Sequence, residues 1–358
     1  MKTILFSCIA LFTICGLLQA EKNDDKQELQ WRDFINIGIE GKGWNDTHTP
    51  YTRLPSRLKS SVTEKVWEHS LTPTGLYITF ETDSSDIYIK REFDGEMTRF
   101  IHCSFAGFDL YGKDGNTFKW LATSSNRATE HDFQHIFKTN GKKCVYRIYL
   151  PLRNTIKSLK LGLVKGSQFK AIAQEGKPIV FYGTSIVHGA YASHSGISHP
   201  SLIGRRLNIP IVNLGFSGAA QMELKMADIL AEIDAAAYVI DAQPNMNAKM
   251  LEQRCEKFLR RLRQLRHDTP ILLVEVASSN RDWYYGKPDA WRESSWRVQR
   301  AIYQKLMAQG EKKISYLRGE NLYGNSGEES IDDCHPGDLG FLSMADKMTP
   351  LLKQLLQK

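Results

Sequence analysis

Apolar positions follow two different rhythms along the chain. From about Trp31 to Phe169 they come in short β-branched and aromatic runs: Leu76-Tyr77-Ile78-Thr79-Phe80, Ile87-Tyr88-Ile89-Lys90, Val145-Tyr146-Arg147-Ile148-Tyr149-Leu150 and Leu159-Lys160-Leu161-Gly162-Leu163. Turn formers such as Asp83-Ser84-Ser85-Asp86 and Lys113-Asp114-Gly115-Asn116 punctuate them. Short strands at close spacing predict an all-β sandwich or jelly roll.

After Gly176-Lys177-Pro178 the apolar runs become continuous, at Ile179 to Tyr182, Ile211 to Leu214, Tyr238 to Ile240, Ile271 to Val276 and Ile314 to Leu317. A strand buried on both faces needs no polar side, and helical segments lie between these runs. The pattern predicts an α/β domain, a parallel sheet with helices on both faces. In the segment around residues 251–265, Leu251, Cys255, Phe258, Leu262 and Leu265 recur at helical spacing. Arg254, Lys257, Arg260, Arg261, Arg263 and Arg266 fall between them and read as the solvated face of an amphipathic helix. Without interleaved aromatics, that face does not point to nucleic acid. A boundary near Glu175 then divides the chain into a β domain over residues 21–175 and an α/β domain over 176–358.

The first twenty residues follow neither rhythm. Lys2 precedes an almost wholly apolar stretch from Ile4 to Leu18, and Leu18-Gln19-Ala20 leads into Glu21-Lys22-Asn23-Asp24-Asp25. This is the pattern of a secretory signal peptide over residues 1–20 rather than a membrane span, with cleavage expected after Ala20. Lipid anchoring through Cys15 is the less expected alternative, because bulky Ile14 precedes it. The mature chain is expected in the periplasm or outside the cell.

Composition changes this picture little. Across 358 residues, 42% hydrophobic and 24% charged, with a formal net charge of +7, the chain has the make-up of an ordinary globular protein. Beyond the leader, Cys103, Cys144, Cys255 and Cys334 are too scattered for a disulfide scaffold, although Cys103 and Cys144 share a domain and could pair. No Cys-x-x-Cys or His-Glu-x-x-His spacing occurs, so neither a metal nor another cofactor is expected. Nothing in the sequence sets the oligomeric state.

Candidate chemistry gathers just past the strands of the second domain. Ser185 follows the first, Gly215-Phe216-Ser217-Gly218 the second and Gln243-Pro244-Asn245 the third. In a parallel sheet all three loops open on one edge, where ligands bind. Late in the chain, Asp332-Asp333-Cys334-His335-Pro336 sets an acid three residues before an imidazole, so Asp332 can orient His335 towards Ser185. Asp333 is the weaker candidate for that role. Each feature alone also fits a turn or a helix cap.

Taken in order, these four blocks resemble the SGNH hydrolases, also called the GDSL esterase and lipase family. Gly183-Thr184-Ser185 stands for the first block, Gly218 for the second, Asn245 for the third, and Asp332 with His335 for the last. Upstream, Gly107-Phe108-Asp109-Leu110-Tyr111 resembles the GxDLY motif of an N-terminal β domain found joined to this hydrolase type. The motif is read here as a structural corner, with Asp109 bonding backbone amides and Leu110 and Tyr111 packed inside.

The resemblance implies a flavodoxin-like sheet behind a β sandwich, and ester hydrolysis through an acyl-enzyme without a metal. Ser185 would be nucleophile, His335 base and Asp332 its orienter, with Ser185, Gly218 and Asn245 donating to the oxyanion. Two departures are Thr184, where the commoner pattern has Asp, and Val187-His188-Gly189 after the nucleophile.

The expected substrate is a small-molecule or polysaccharide acyl ester, with an acetyl or other short acyl group on carbohydrate favoured. The alternatives are a lipase or thioesterase, and a non-catalytic carbohydrate-binding protein. His188 at the mouth, Trp283 and Tyr284 are candidate substrate contacts, while Trp291 and Trp296 fit a sugar-stacking wall and a helix packing face equally. His194 and His199, in a Ser-rich loop, are expected on the surface or against substrate.

Overall fold

A computed structural model describes residues 27–94, 103–124 and 132–357. The expected leader and Cys15 lie outside the described residues, as does the side chain of Cys103; Cys144 carries a free thiol. No helix among the described residues is long and apolar enough to cross a membrane.

The first domain is a sandwich of two antiparallel sheets. Its strands are β1 (Leu29–Asp33), β2 (Tyr77–Thr82), β3 (Asp86–Phe93), β4 (Asp109–Asp114), β5 (Thr117–Thr123), β6 (Asp132–Lys138), β7 (Cys144–Tyr149), β8 (Ile156–Val164) and β9 (Phe169–Ala171). One sheet runs β1-β8-β3-β6 and the other β5-β4-β7-β2-β9. Side chains alternate across each strand, so Ile78, Phe80, Leu110 and Ile148 of one sheet meet Ile87, Ile89, Leu159 and Leu161 of the other. The opposite face of the larger sheet carries Tyr77, Tyr111 and Tyr149. Two short helices, α1 (Phe34–Ile37) and α2 (Glu64–Ser70), lie in the connections.

The second domain is the expected parallel sheet. Its strands β10 (Ile179–Gly183), β11 (Ile211–Gly215), β12 (Ala237–Asp241), β13 (Ile271–Val274) and β14 (Ile314–Leu317) run in the order β11-β10-β12-β13-β14. The chain therefore reverses its direction of progress at β10, the switch point where such sheets open a crevice. In β10, Ile179 and Phe181 enter one core while Val180 and Tyr182 enter the other, and all four are fully buried. The strand must be apolar on both sides, and it is. Helices α3 (Ser185–His188), α4 (His199–Leu207), α5 (Leu224–Leu230), α6 (Ala248–Leu265), α7 (Asp282–Tyr285), α8 (Ala290–Ala308) and α9 (Asp338–Leu356) complete the domain. Helix α6 buries Leu251, Cys255, Phe258 and Leu262 as its spacing predicts, whereas Leu265 is exposed. Several cations of its outer face pair with acids, Arg260 with Glu256, Arg261 with Asp228 and Arg263 with Glu311.

One part of the chain crosses between the two units. Trp44, Leu54, Leu58, Val66 and Trp67 precede most of the sandwich in sequence, yet they pack into the core of the parallel sheet beside Val212 and Leu214. Within this segment Arg53 is buried and donates to the carbonyls of Asn213 and Gly215 at 3.1 and 2.8 Å. These belong to β11, the edge strand, so the guanidinium satisfies carbonyls that no further strand covers. The tyrosine face of the sandwich closes the contact, with Arg205 of α4 lying 4.1 Å from the ring of Tyr111 and 5.3 Å from that of Tyr149.

Candidate active site

Strand β10 delivers Ser185 to the sheet edge. Gly183 must be glycine, because a Cβ there would lie 2.4 Å from the Asp241 carbonyl oxygen of the neighbouring strand. Thr184 is buried and caps α3, its hydroxyl accepting from Ile186 N at 3.3 Å and its carbonyl from His188 N at 3.0 Å. The departure at this position is thus accommodated by a hydroxyl cap. Ser185 begins the helix with its side chain partly accessible.

Opposite it stands the turn before α9. Ser185 Oγ lies 2.8 Å from His335 Nε2, and His335 Nδ1 lies 2.8 Å from Asp332 Oδ2. The other carboxylate oxygen of Asp332 accepts the backbone N–H groups of Cys334 and His335 at 3.1 and 2.7 Å. Partial burial raises the Asp332 pKa, but the His335 amide, its imidazole and the Cys334 amide outweigh that and hold it below the ordinary carboxylate value. The acid is therefore ionised where it meets the ring. Ile331 N and Ser330 Oγ both donate to the His335 carbonyl at 3.0 Å, which fixes the turn.

Asp333 does something else. It sits at φ +68°, and it accepts from Ser279 Oγ, Asn280 N at 2.9 Å and Arg281 Nη2 at 2.8 Å. It ties the turn to the segment that carries α7.

Gly183 is in register with Gly215 on one side and with Asp241 on the other, so the loops holding Gly218 and Asn245 open on the Ser185 edge. Gly218 is exposed at φ +61°, a conformation suited to glycine. Among the described residues, no backbone hydrogen bond takes up the N–H of Ser185 or of Gly218. The Asn245 amide donates to the Ala219 carbonyl, and Gln221 Nε2 donates back to the Asn245 carbonyl at 3.2 Å. Asn245 is thereby locked to the Gly218 loop, with a second amide proton to spare.

Two of the three histidines singled out in the sequence differ from expectation, and the third, His194, stays partly accessible. His188 is fully buried rather than at the mouth: Nε2 lies 3.1 Å from the Leu152 carbonyl, and Nδ1 faces Ser217 Oγ at 3.2 Å and Arg153 Nη1 at 3.1 Å. Burial first, then Arg153 and Arg53, push its pKa well down, so it is a neutral strut beneath the Gly218 loop. His199 is also fully buried, between Phe181 and Phe341, because α4 packs it into the core. His194 contacts Asp109 at 2.9 Å. The GxDLY acid thus reaches across the domain boundary, also accepting the Gly196 N–H, while Leu110 enters the sandwich and Tyr111 packs on Gly196.

Trp283 and Tyr284 are 81% and 71% exposed on α7, and the neighbouring Tyr285 is exposed as well. Trp296 is buried and donates to the Val276 carbonyl, and Trp291 donates to that of Met246, so these two pack α8. Sequence reasoning did not find Tyr191, whose ring centroid lies 5.3 Å from that of His335, nor Lys65 and His69 of α2 beside Gly218 and Ser217. Lys65 and His69 share a helical face, but only tertiary packing brings that face to the site. Among the described residues no group of three or more His, Cys, Asp or Glu side chains is arranged to hold a metal ion.

Comparisons with known proteins bear on the family and fold of both domains. Residues 176–353 match the GDSL-like Lipase/Acylhydrolase family, and residues 29–169 match the GxDLY model, the N-terminus of Esterase_SGNH_hydro-type. A protein described as a GDSL-like lipase from Bacteroides ovatus superposes with a TM-score of 0.84 at 25% identity, over 92% of this chain and 98% of its own. The salicylyl-acyltransferase SsfX3 of a tetracycline biosynthetic pathway shares the fold with a TM-score of 0.70 at 14% identity, over 91% of this chain and 94% of its own. A family two carbohydrate esterase from Clostridium thermocellum, in complex with cellohexaose, gives 0.59 at 14% identity, over 80% and 96%. No curated protein matches the chain in sequence. The chain belongs to the GDSL-like, or SGNH, hydrolase family, in the group that carries an N-terminal GxDLY β domain, and is an ester hydrolase.

Proposed function

We propose that Ser185 is the nucleophile of an exported esterase that removes acetyl or other short acyl groups from carbohydrate. The observation that carries this reading is the relay Ser185 Oγ, His335 Nε2, His335 Nδ1, Asp332 Oδ2, with 2.8 Å at both hydrogen bonds. Ser185 Oγ attacks the ester carbonyl as His335 takes its proton, and ionised Asp332 stabilises the imidazolium. The C–O bond to the sugar then breaks, and the same proton leaves with the alcohol. Water, deprotonated by His335, attacks the acyl-enzyme, and the proton returns to Ser185 as the acid departs. The N–H groups of Ser185 and Gly218 and the Asn245 side-chain amide are the proposed donors to the oxyanion, each worth about 3 kcal/mol of transition-state stabilisation.

Support for carbohydrate is separate from support for the chemistry. Exposed Trp283 and Tyr284 belong to the segment that Asp333 fastens to the His335 turn, and such rings suit the apolar faces of sugars. The apolar leader read from residues 1–20 supports export, where polymeric substrates are met. Acetate release from acetylated xylan, set against p-nitrophenyl esters of increasing chain length, tests the reading. Activity on the glycan and on acetyl esters, falling steeply with acyl length, is the expected outcome. A preference for long acyl chains would favour a lipase instead.

A further inference from the structure

We infer that the surface beside the Gly215–Gly218 loop binds an anionic group of the substrate, a sugar carboxylate or sulfate, so that acidic saccharide esters are preferred to neutral ones. This rests on the esterase reading above and narrows it.

The surface is built by the segment that crosses from the first domain. The Lys65 ammonium lies so close to Gly218 that a Cβ there would be 2.4 Å from Nζ. One helical turn further on, His69 bonds the Ser217 backbone, and its ring centroid is 5.4 Å from that of His188. Arg153 reaches the other side of His188 at 3.1 Å, and Arg53 lies beneath, bonded to the carbonyls of Thr72, Asn213 and Gly215.

Among the described residues the cluster holds no acid. Several other cations are neutralised locally, Arg57 by Glu232, Arg261 by Asp228 and Arg300 by Glu275. Among the described residues neither Lys65 nor Arg153 has a carboxylate partner. The charged groups that act most strongly on His69 are Arg153, Arg53 and Lys65, which together with the larger effect of burial bring its pKa down to about 4. A concentration of positive charge at the substrate edge, rimmed by accessible Lys65 and partly accessible Arg153 and His69, is a surface awaiting an anion. A guanidinium fork and an ammonium suit a carboxylate or a sulfate. Because Gly218 is a proposed oxyanion donor, the anion sits on the esterified sugar or on its neighbour.

The test compares kcat/KM of the full chain on acetylated polygalacturonate and on an acetylated neutral xylan, in low and high salt. The acidic polymer is expected to win by about fivefold or more, the value of one good exposed ion pair, and salt should erase the gap. Lys65→Gln and Arg153→Gln should each cut the ratio several-fold, whereas Lys257→Gln on the distal face of α6 should not; that control separates a local site from the overall net charge. Oligogalacturonate and a sulfated oligosaccharide, used as separate inhibitors, tell the two anions apart. Equal kcat/KM on the two polymers would overturn the inference, as would Lys65→Gln lowering both by the same factor. If p-nitrophenyl acetate itself is not hydrolysed, it is the esterase reading that fails.

Discussion

Asp109 of the sandwich accepts the N–H of Gly196 in the hydrolase domain and, through the loop that holds Gly196, is connected to Tyr191 beside His335. The carboxylate is fully buried, and its second oxygen takes the Thr123 hydroxyl at 2.8 Å. The GxDLY motif is therefore a brace between domains. Replacing Asp109 by Ala leaves the buried Gly196 N–H and the partly buried Thr123 hydroxyl and His194 ring without their acceptor, each costing about 1–3 kcal/mol. Denaturant unfolding should show a loss of at least about 3 kcal/mol, with lower turnover of p-nitrophenyl acetate.

The neighbouring acids Asp332 and Asp333 should separate cleanly in kinetics. Asp332→Asn removes the group that orients His335 and should lower kcat on any ester by on the order of a thousandfold or more. Asp333→Ala releases Ser279, Asn280 and Arg281 instead, freeing the α7 segment. Steady-state assays should find it much less harmful on p-nitrophenyl acetate than on an acetylated glycan.

Asp241, at the end of β12, should make stability depend on pH in the opposite sense to a paired carboxylate. Burial alone raises its pKa to about 7, and Oδ2 has no hydrogen-bond partner among the described residues. Above the unfolded-state value near 4 the unfolded chain releases this proton while the folded one keeps it, so the contribution to stability falls between about pH 4 and pH 7 and is level beyond. The full effect is about 4 kcal/mol. Asp241→Asn does not titrate, so its Tm relative to the parent should rise from pH 5 to pH 8.

Arg53 should be needed for the edge of the parallel sheet. Arg53→Ala strips hydrogen bonds from the carbonyls of Thr72, Asn213 and Gly215 in a buried site, a loss of roughly 3 kcal/mol or more. Arg53→Lys has no fork to span them and should rescue little, as chemical denaturation would reveal.

The sequence made the second domain legible because buried parallel strands are unbroken apolar runs; Ile179, Ile211 and Ile314 each open a strand where the pattern begins. The sandwich was less readable. Strand β5 is largely exposed and carries Lys119 and Trp120, and β9 has only three residues, so neither shows an apolar signature. Ser185 and the Asp332–His335 spacing stood out because their roles are tied to local position. Lys65 and the burial of His188 did not, since these depend on a crossing segment that no periodicity marks, and Tyr191 sits in an irregular turn after α3 at φ +65°.

Covalent capture decides whether Ser185 is the nucleophile. Intact protein is treated with a fluorophosphonate, digested and mapped by mass spectrometry, with Ser185→Ala alongside. A single adduct on the Ser185 peptide, absent from the variant and accompanied by loss of esterase activity, is predicted. An adduct on another residue, or an active Ser185→Ala enzyme, would rule Ser185 out as the nucleophile.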